Sequence, residues 1–421
     1  MHKRKRTLFC SEYMLEKFNK ADQVNYKKSH DLQVLYIKNG IIHPQELSET
    51  NEKENNQYGG VTDENLNFIE LSLPKRFQGD CTVKYHQWYI GANPNIQTED
   101  IEYIDEDVVF IGPIKSYISH FYLETFCRCW FFLNENNLKY KIAFLSNEGE
   151  PPNYEYVCQF LDGLGINQDS LIEIKKPTKF RTVIVPEQAY ELNKCYHPIY
   201  KDLFDKIKEK IEPAPYKKVY FSKKFNFEQN PRITGDELAQ EIFEANGFTV
   251  FHPERMSITE MLSILKGCEE FAAQSGSNAH NAIFLNDFTK LIVLNRSEHV
   301  HPTQTMIDEM RQLQTIYVDV CDTILPVNWD VGPFVFQYTK HLEDYLDTYN
   351  MKFDKEKLKE QSQKNLSKFV DTYIYWLSIP FFYNRLPKKE ISIQNFINIV
   401  SKLNKKSNPP EEDTVLERTS S

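Results

Sequence analysis

From about residue 108 onward the apolar and polar positions of the chain switch between two periods. Apolar runs at Val108–Ile111, Lys141–Leu145, Leu171–Ile174 and Thr182–Val185 have strand length and composition, the first closed by Gly112-Pro113 and the last by Pro186-Glu187. Stretches of helical length separate and follow them: Tyr117–Asn134, Tyr154–Leu164 ahead of Gly165, and His197–Ile211. The last of these carries Ile199, Leu203, Phe204, Ile207 and Ile211 on one stripe behind Pro198. Glu212-Pro213-Ala214-Pro215 then reads as a stiff extended linker.

Beyond the linker the alternation is clearest. Strands are predicted at Val219–Ser222, Phe248–Phe251, Phe271–Ala273, Leu291–Leu294 and Ile316–Val320. Helices are predicted at Asp236–Asn246, Ile258–Lys266, Ser277–Leu285 and Pro302–Gln312. Their ends are marked in the sequence: Asn246-Gly247 as a C-cap, Ser257 with Glu260 as a capping box, Gly267 as a stop. Strands and helices joined by short connections imply a parallel sheet with right-handed crossovers, which binds ligands at the carboxyl ends of its strands.

The flanking regions are less regular. Leu32–Ile42 and Cys81–Ile90 read as strands, Ser48–Asn67 as a long surface loop, and Asp105-Glu106-Asp107 as a solvated charge run before a strand. After Pro326 the pattern gives way to helices at Val335–Tyr349 and Leu358–Phe382, the second ending in an aromatic cluster around Pro380. That cluster is expected to be buried in the protein, with docking on a membrane surface as the other reading. The expected division is 1–212, 213–330 and a helical extension with a polar tail at 331–421.

Composition narrows the function. A chain of 421 residues that is 41% hydrophobic can build two or three cores, and a net charge of −10 argues against a dedicated nucleic-acid binder. The eight cysteines show no CxxC pair and no metal-ligand spacing, as in a reducing compartment. No apolar signal core follows the basic start and no run is long enough to span a bilayer, so a cytoplasmic protein is expected, with contact at the inner membrane face as a variant.

Candidate chemistry falls at two places. His120, Glu124 and Arg128 are spaced by four in an apolar segment, which on an α-helix places a base, a carboxylate and a cation on one face. They serve either as a structural stripe, Glu124 paired with Arg128, or as groups that take a proton from an attacking hydroxyl. The second place is the carboxyl edge of the later sheet. Ser222, Lys223 and Lys224 follow one strand, His252 the next, and Ser275-Gly276-Ser277 the third. Gly276 permits a sharp turn, Ser277 is placed to cap the helix, and the helix start with the lysines favours a phosphate or diphosphate.

Several pieces then stand in order: Phe221-Ser222-Lys223-Lys224, Arg232 with Asp236-Glu237-Leu238, Gly247 to Ser257, and Ser275 to Phe284. Upstream come Ser119 to Thr125 with Arg128, and Val183 to Glu187. This order resembles glycosyltransferase family 61, of the bacterial capsular-polysaccharide type, over roughly Val108 to Val320. The resemblance implies an α/β fold of GT-B type, two Rossmann-like domains facing a cleft. It further implies an inverting, metal-independent transfer from a nucleotide-sugar donor to a glycan or lipid-linked glycan acceptor, with no bound cofactor. Carried over, His120 or Glu124 is the base and Arg128 orients the carboxylate. Ser222, Lys223, Lys224, Arg232, Glu237, His252, Ser275, Gly276, Ser277, His280 and Asn281 hold the donor. Two departures stand out: Lys223 where the family commonly has Arg, and Gly235-Asp236-Glu237 where it commonly has Asn-Glu, so that the matching carboxylate is ambiguous. An epimerase acting on sugar-nucleotides, or a non-catalytic binder of glycan or nucleotide, are the alternatives.

Overall fold

The computed structural model describes residues 6–47, 57–77, 85–87, 101–115, 117–146, 154–223, 233–321 and 332–379. The chain opens with β1 (Arg6–Phe9) and α1 (Glu12–Ala21), whose first turn is capped by the Ser11 hydroxyl accepting from the Met14 amide. β1 runs parallel to a strand some three hundred residues later, pairing Arg6 with Thr315 and Phe9 with Val318. The start of the chain is therefore hydrogen-bonded to the second sheet, across the division expected at residue 212.

The first sheet has seven strands. β2 (Val34–Lys38), β3 (Ile41–Leu47) and β4 (Gln57–Thr62) form its antiparallel part. The predicted single strand over Leu32–Ile42 is thus two strands, broken where Asn39 takes a positive φ of 51°, and part of the predicted loop is β4. β5 (Glu102–Ile114), β6 (Lys141–Ser146), β7 (Leu171–Glu173) and β8 (Thr178–Pro186) form its parallel part in the order β8-β5-β6-β7. β5 is longer at both ends than its apolar run. The acidic Asp105–Asp107 stretch lies inside it, with Asp105 and Asp107 paired to Arg181 of the neighbouring strand, whose Nε is 2.9 Å from Asp107, and Glu106 paired to Lys141. Gly112-Pro113 does not stop it either, because Gly112 absorbs the irregularity as a bulge at φ 92°, with open space where a Cβ would sit. Of the predicted Cys81–Ile90 strand only Tyr85–Gln87 lies among the described residues, paired with Lys75–Phe77. α2 (Tyr154–Gly163) and α3 (Ile199–Lys208) cover the sheet's inner face.

The second sheet is wholly parallel. β9 (Lys218–Phe221), α4 (Asp236–Ala245), β10 (Thr249–Phe251), α5 (Ile258–Gly267), β11 (Glu270–Gln274), β12 (Lys290–Asn295), α6 (Pro302–Met310) and β13 (Gln314–Asp319) alternate as the sequence predicts. The strand order is β10-β9-β11-β12-β13-β1, so the order reverses at β9, and the crevice outside β9 and β11 is where such sheets take ligands.

Successive strand residues face opposite sides, and this alternation sorts the core. Val108 and Phe110 point to an outer cluster with Ile42, Val61 and Val183, whereas Val109 and Ile111 point inward. In β9, Val219 and Phe221 point inward and Tyr220 outward, stacked on Phe243. The two inward faces and the helices between them belong to one apolar cluster. Phe284 of the second unit packs edge-on against Tyr122 at 5.1 Å and Phe204 at 5.2 Å of the first. Such pairs contribute about 0.5–1.5 kcal/mol each beyond area burial. The two units thus pack on each other through a shared apolar cluster.

α7 (Lys340–Thr348) and α8 (Lys355–Leu377) follow. α8 buries Leu358, Leu366, Phe369, Tyr373 and Trp376 at helical spacing and leaves Ile374 and Tyr375 exposed. It lies against the second unit, where Ser362 accepts from the Tyr338 amide at 2.9 Å. Among the described residues no helix is long and apolar enough to cross a membrane.

Candidate active site

The carboxyl edge of the second sheet is organised around Asp236, the first residue of α4 and only 4% exposed. Its carboxylate accepts from the Tyr220 hydroxyl at 2.8 Å, the Ser222 hydroxyl at 2.5 Å, the Lys223 amide at 3.1 Å and the Gln274 side chain at 2.5 Å. A buried carboxylate is tolerated when its oxygens are this fully hydrogen-bonded. The network fixes the end of β9 to the end of β11. Glu237, the carboxylate carried over from the resemblance, faces solvent instead. The reason is local: Gly235 turns the chain at φ 90°, in a pocket where a Cβ would meet Asn365 at 2.4 Å, and this sends the first helical side chain inward and the second outward.

Gly276 makes the second turn, at φ 103° and ψ −152°. A Cβ there would sit 2.8 Å from the Arg296 guanidinium and 3.6 Å from the Lys223 ammonium, so the missing side chain leaves room for two cations. Lys223 donates to the Ser277 hydroxyl at 3.3 Å, the Ser275 amide donates to Leu294 at 2.9 Å, and Asn278 donates to the carbonyls of Phe221 and Ser222. The predicted helix is shorter than its periodicity suggests. Four α-helical residues, Ser277–His280, pass into a 3-10 segment at Asn281–Phe284, and Gly276, not Ser277, stands at the cap. So short a helix has little dipole. The positive character of the turn comes from Lys223 and Arg296.

Three imidazoles close the back of this turn. His280 and His301 meet edge to face at 4.9 Å, and His301 and His299 at 5.2 Å. His280 is 6% exposed and its Nε2 has no hydrogen-bond partner. Burial, reinforced by Lys223, His120 and Arg296, pushes its pKa down to about 3. Burial, then its neighbours His280 and His299, then Arg296 and Lys223, hold His301 well below the ordinary range. Asn281 accepts from the Tyr122 hydroxyl at 3.2 Å and so joins the two units rather than facing the turn. His252 ends β10 at the same edge, as the cap of a 3-10 turn at Pro253–Arg255. Lys224 and Arg232 lie outside the described residues.

Across from this cluster, the segment after β5 is not one α-helix. A single α-turn at Ile118–His120 widens into a π-turn at Phe121–Thr125 and then tightens into a 3-10 helix at Phe126–Leu133. The Thr125 hydroxyl pins it by donating to the Pro113 carbonyl at 2.7 Å. His120 Nδ1 is hydrogen-bonded to Glu124 Oε1, with the imidazole side chain 46% exposed and the carboxylate 11%. Arg128 is not on their face. It is 2% exposed and donates to the carbonyls of Pro186 and Leu73, the latter at 3.0 Å. The spacing of four holds residues on one side only while the helix keeps 3.6 residues per turn, and the π-to-3-10 transition between Glu124 and Arg128 breaks that phase. Arg128 is thus a structural tie to β8.

The sequence leaves Asp236 and Glu237 as alternatives, and it gives no role to Gln274, Arg296 or His301. Arg296 follows β12, so the rule that ligand groups stand after parallel strands contained the signal. Among the described residues no group of histidines, cysteines and carboxylates has the arrangement of a metal site.

No curated protein matches the sequence. The family model Glycosyltransferase 61 matches residues 118–292, from two residues before His120 to within β12. It spans both the His120–Glu124 pair and the Gly276 turn, and ends before Arg296 and His301. That segment of the chain is a glycosyltransferase 61 domain.

Proposed function

We propose that the protein is an inverting glycosyltransferase of GT-B type that moves a sugar from a nucleotide-sugar donor to a hydroxyl of a glycan or lipid-linked glycan, in the assembly of a surface or capsular polysaccharide. The carrying observation is the meeting of two unlike groups at the carboxyl edges: a solvent-facing imidazole–carboxylate pair, and a buried cationic turn near enough for His120 to act on His280 electrostatically.

In this reading His120 is the base. Its Nδ1 donates to Glu124, which leaves Nε2 as the acceptor toward the cleft. Nε2 takes the proton of the attacking hydroxyl while Glu124 stabilises the imidazolium. The departing diphosphate is held by Ser222, Lys223 and the Ser275-Gly276-Ser277 turn, with Lys224 and Arg232 from the segment that follows Lys223. These groups meet its developing charge without a catalytic metal. A single in-line displacement inverts the anomeric centre. A cytoplasmic location with contact at the inner membrane face suits a lipid-linked acceptor, and Ile374 and Tyr375 are exposed apolar groups for that contact.

Purified protein incubated with a panel of nucleotide-sugars and acceptors should release nucleotide only when acceptor is present, with product of inverted configuration by NMR. Treatment with a chelator should leave the rate unchanged. Interconversion of free sugar-nucleotide without acceptor would replace this reading with an epimerase.

A further inference from the structure

We propose that Arg296 and the edge-to-face pair His280–His301 form a second arm of the diphosphate site, facing Lys223 across Gly276, and that the pair takes up a proton when a nucleoside-diphosphate ligand binds. This rests on reading the Gly276 turn as the donor-diphosphate site.

Three observations carry it. First, Gly276 holds a backbone geometry and a space that serve the guanidinium: any Cβ would press on Arg296 at 2.8 Å. Phe334 backs the guanidinium from the other side, 3.9 Å from ring centroid to Cζ, which fixes its plane. Lys223 is a point charge, whereas a planar fork grips two phosphate oxygens at once, so the two arms divide the work. Second, the imidazole of His280 is buried behind the same turn with an Nε2 that no protein group engages. An orphaned buried polar atom costs stability, and its retention beside two cations points to a ligand as its partner. Third, the charged groups that act most on this pair are basic. Lys223 comes from the end of β9, Arg296 from the end of β12, His299 from the loop before α6, and His120 from the first unit. Burial first, and that field after it, keep the imidazoles neutral. An anion lodged between Lys223 and Arg296 cancels the field, and protonation of the pair then adds a charge-assisted hydrogen bond to the ligand. Arg296 and His301 lie beyond the residues that match the family model, so nothing in that match assigns them.

Isothermal titration of the full chain with UDP-, GDP- and dTDP-sugars tests both arms. Their diphosphate diesters stay ionised throughout, so any proton exchanged belongs to the protein. At pH 6.5, two buffers of different ionisation enthalpy should show net proton uptake on binding, and affinity should rise from pH 8 to pH 6. Arg296→Lys should weaken binding by about ten-fold, and Arg296→Met by more. His280→Gln with His301→Gln should abolish the uptake and flatten the pH dependence. Because these sites are buried, the His280 ring resonance of the unaltered protein gives an independent reading: it should move toward the protonated position when ligand is added at pH 6. Binding without proton uptake and without that shift, or Arg296→Lys and Arg296→Met both binding within about two-fold of the unaltered protein, overturns this inference alone. Failure of every nucleotide-sugar to bind the unaltered protein overturns it together with the donor-site reading.

Discussion

The two segments that carry the candidate chemistry are built alike and behave oppositely. Each follows a central parallel strand, β5 or β11, through a bend into a short helical run at the carboxyl edge. After β5 the imidazole of His120 faces solvent and is held by the largely covered carboxylate of Glu124. After β11 they are mostly buried, Ser277 apart, and tied to the ends of β9 and β12 through Phe221 and Leu294 and to the start of α4 through Asp236. A group in the first setting can be replaced with loss of chemistry alone. In the second setting, position, charge and stability are the same interactions, and none can be changed separately.

Substitutions on the two sides should split accordingly. The largest effect is expected for His120→Ala and Glu124→Gln: turnover falls by about 10²–10⁴-fold, while donor affinity stays within about two-fold and the melting temperature hardly moves. Full transfer activity in both variants would remove the base from this segment. Arg128→Met, ten residues or fewer away, should do the reverse. It strips two buried carbonyls of their donor, and denaturant unfolding should show a loss of about 3 kcal/mol with unchanged donor affinity in the folded protein. A loss of turnover without a loss of stability would return Arg128 to the site.

On the buried side the two readouts should fall together. Asp236→Asn keeps the shape but weakens its hydrogen bonds, at about 2 kcal/mol of stability and a comparable loss in donor binding. Gly276→Ala places a methyl against Arg296 at a φ that L-residues rarely adopt, costing about 1–2 kcal/mol, again with weaker donor binding. At neutral pH the smallest effect is that of His280, and it grows as pH falls. The folded-state pKa of His280 is depressed to about 3, so below its ordinary 6.5 the unfolded chain binds a proton that the folded one does not. Stability is therefore complete above pH 6.5 and is lost as pH falls toward 3, by at most about 1.4 kcal/mol per pH unit from this residue. In ligand-free protein, His280→Gln should flatten that part of the pH–stability curve.

The sequence on its own determined the second α/β unit almost element by element, because strand and helix periods, caps and stops are local signals. Ser257 does cap α5, accepting from the Glu260 amide at 3.2 Å, and the strands after which Ser222 and Ser275 stand are where the pattern places them. It also set His120 and Glu124 in reach of each other, four residues apart. What only the tertiary structure decided involves partners far along the chain. β1 joined the second sheet by pairing with β13, which no local pattern encodes. Asp236 rather than Glu237 turned inward because Gly235 and Gln274, 38 residues on, make the place for it. Arg128 left the stripe when a π-turn and a 3-10 helix broke the helical phase, and Arg296 reached the Gly276 turn because β12 lies beside β11. Periodicity fixes which face of an element is apolar. Which polar groups converge depends on strand order and backbone turns, and these are settled only when the elements pack.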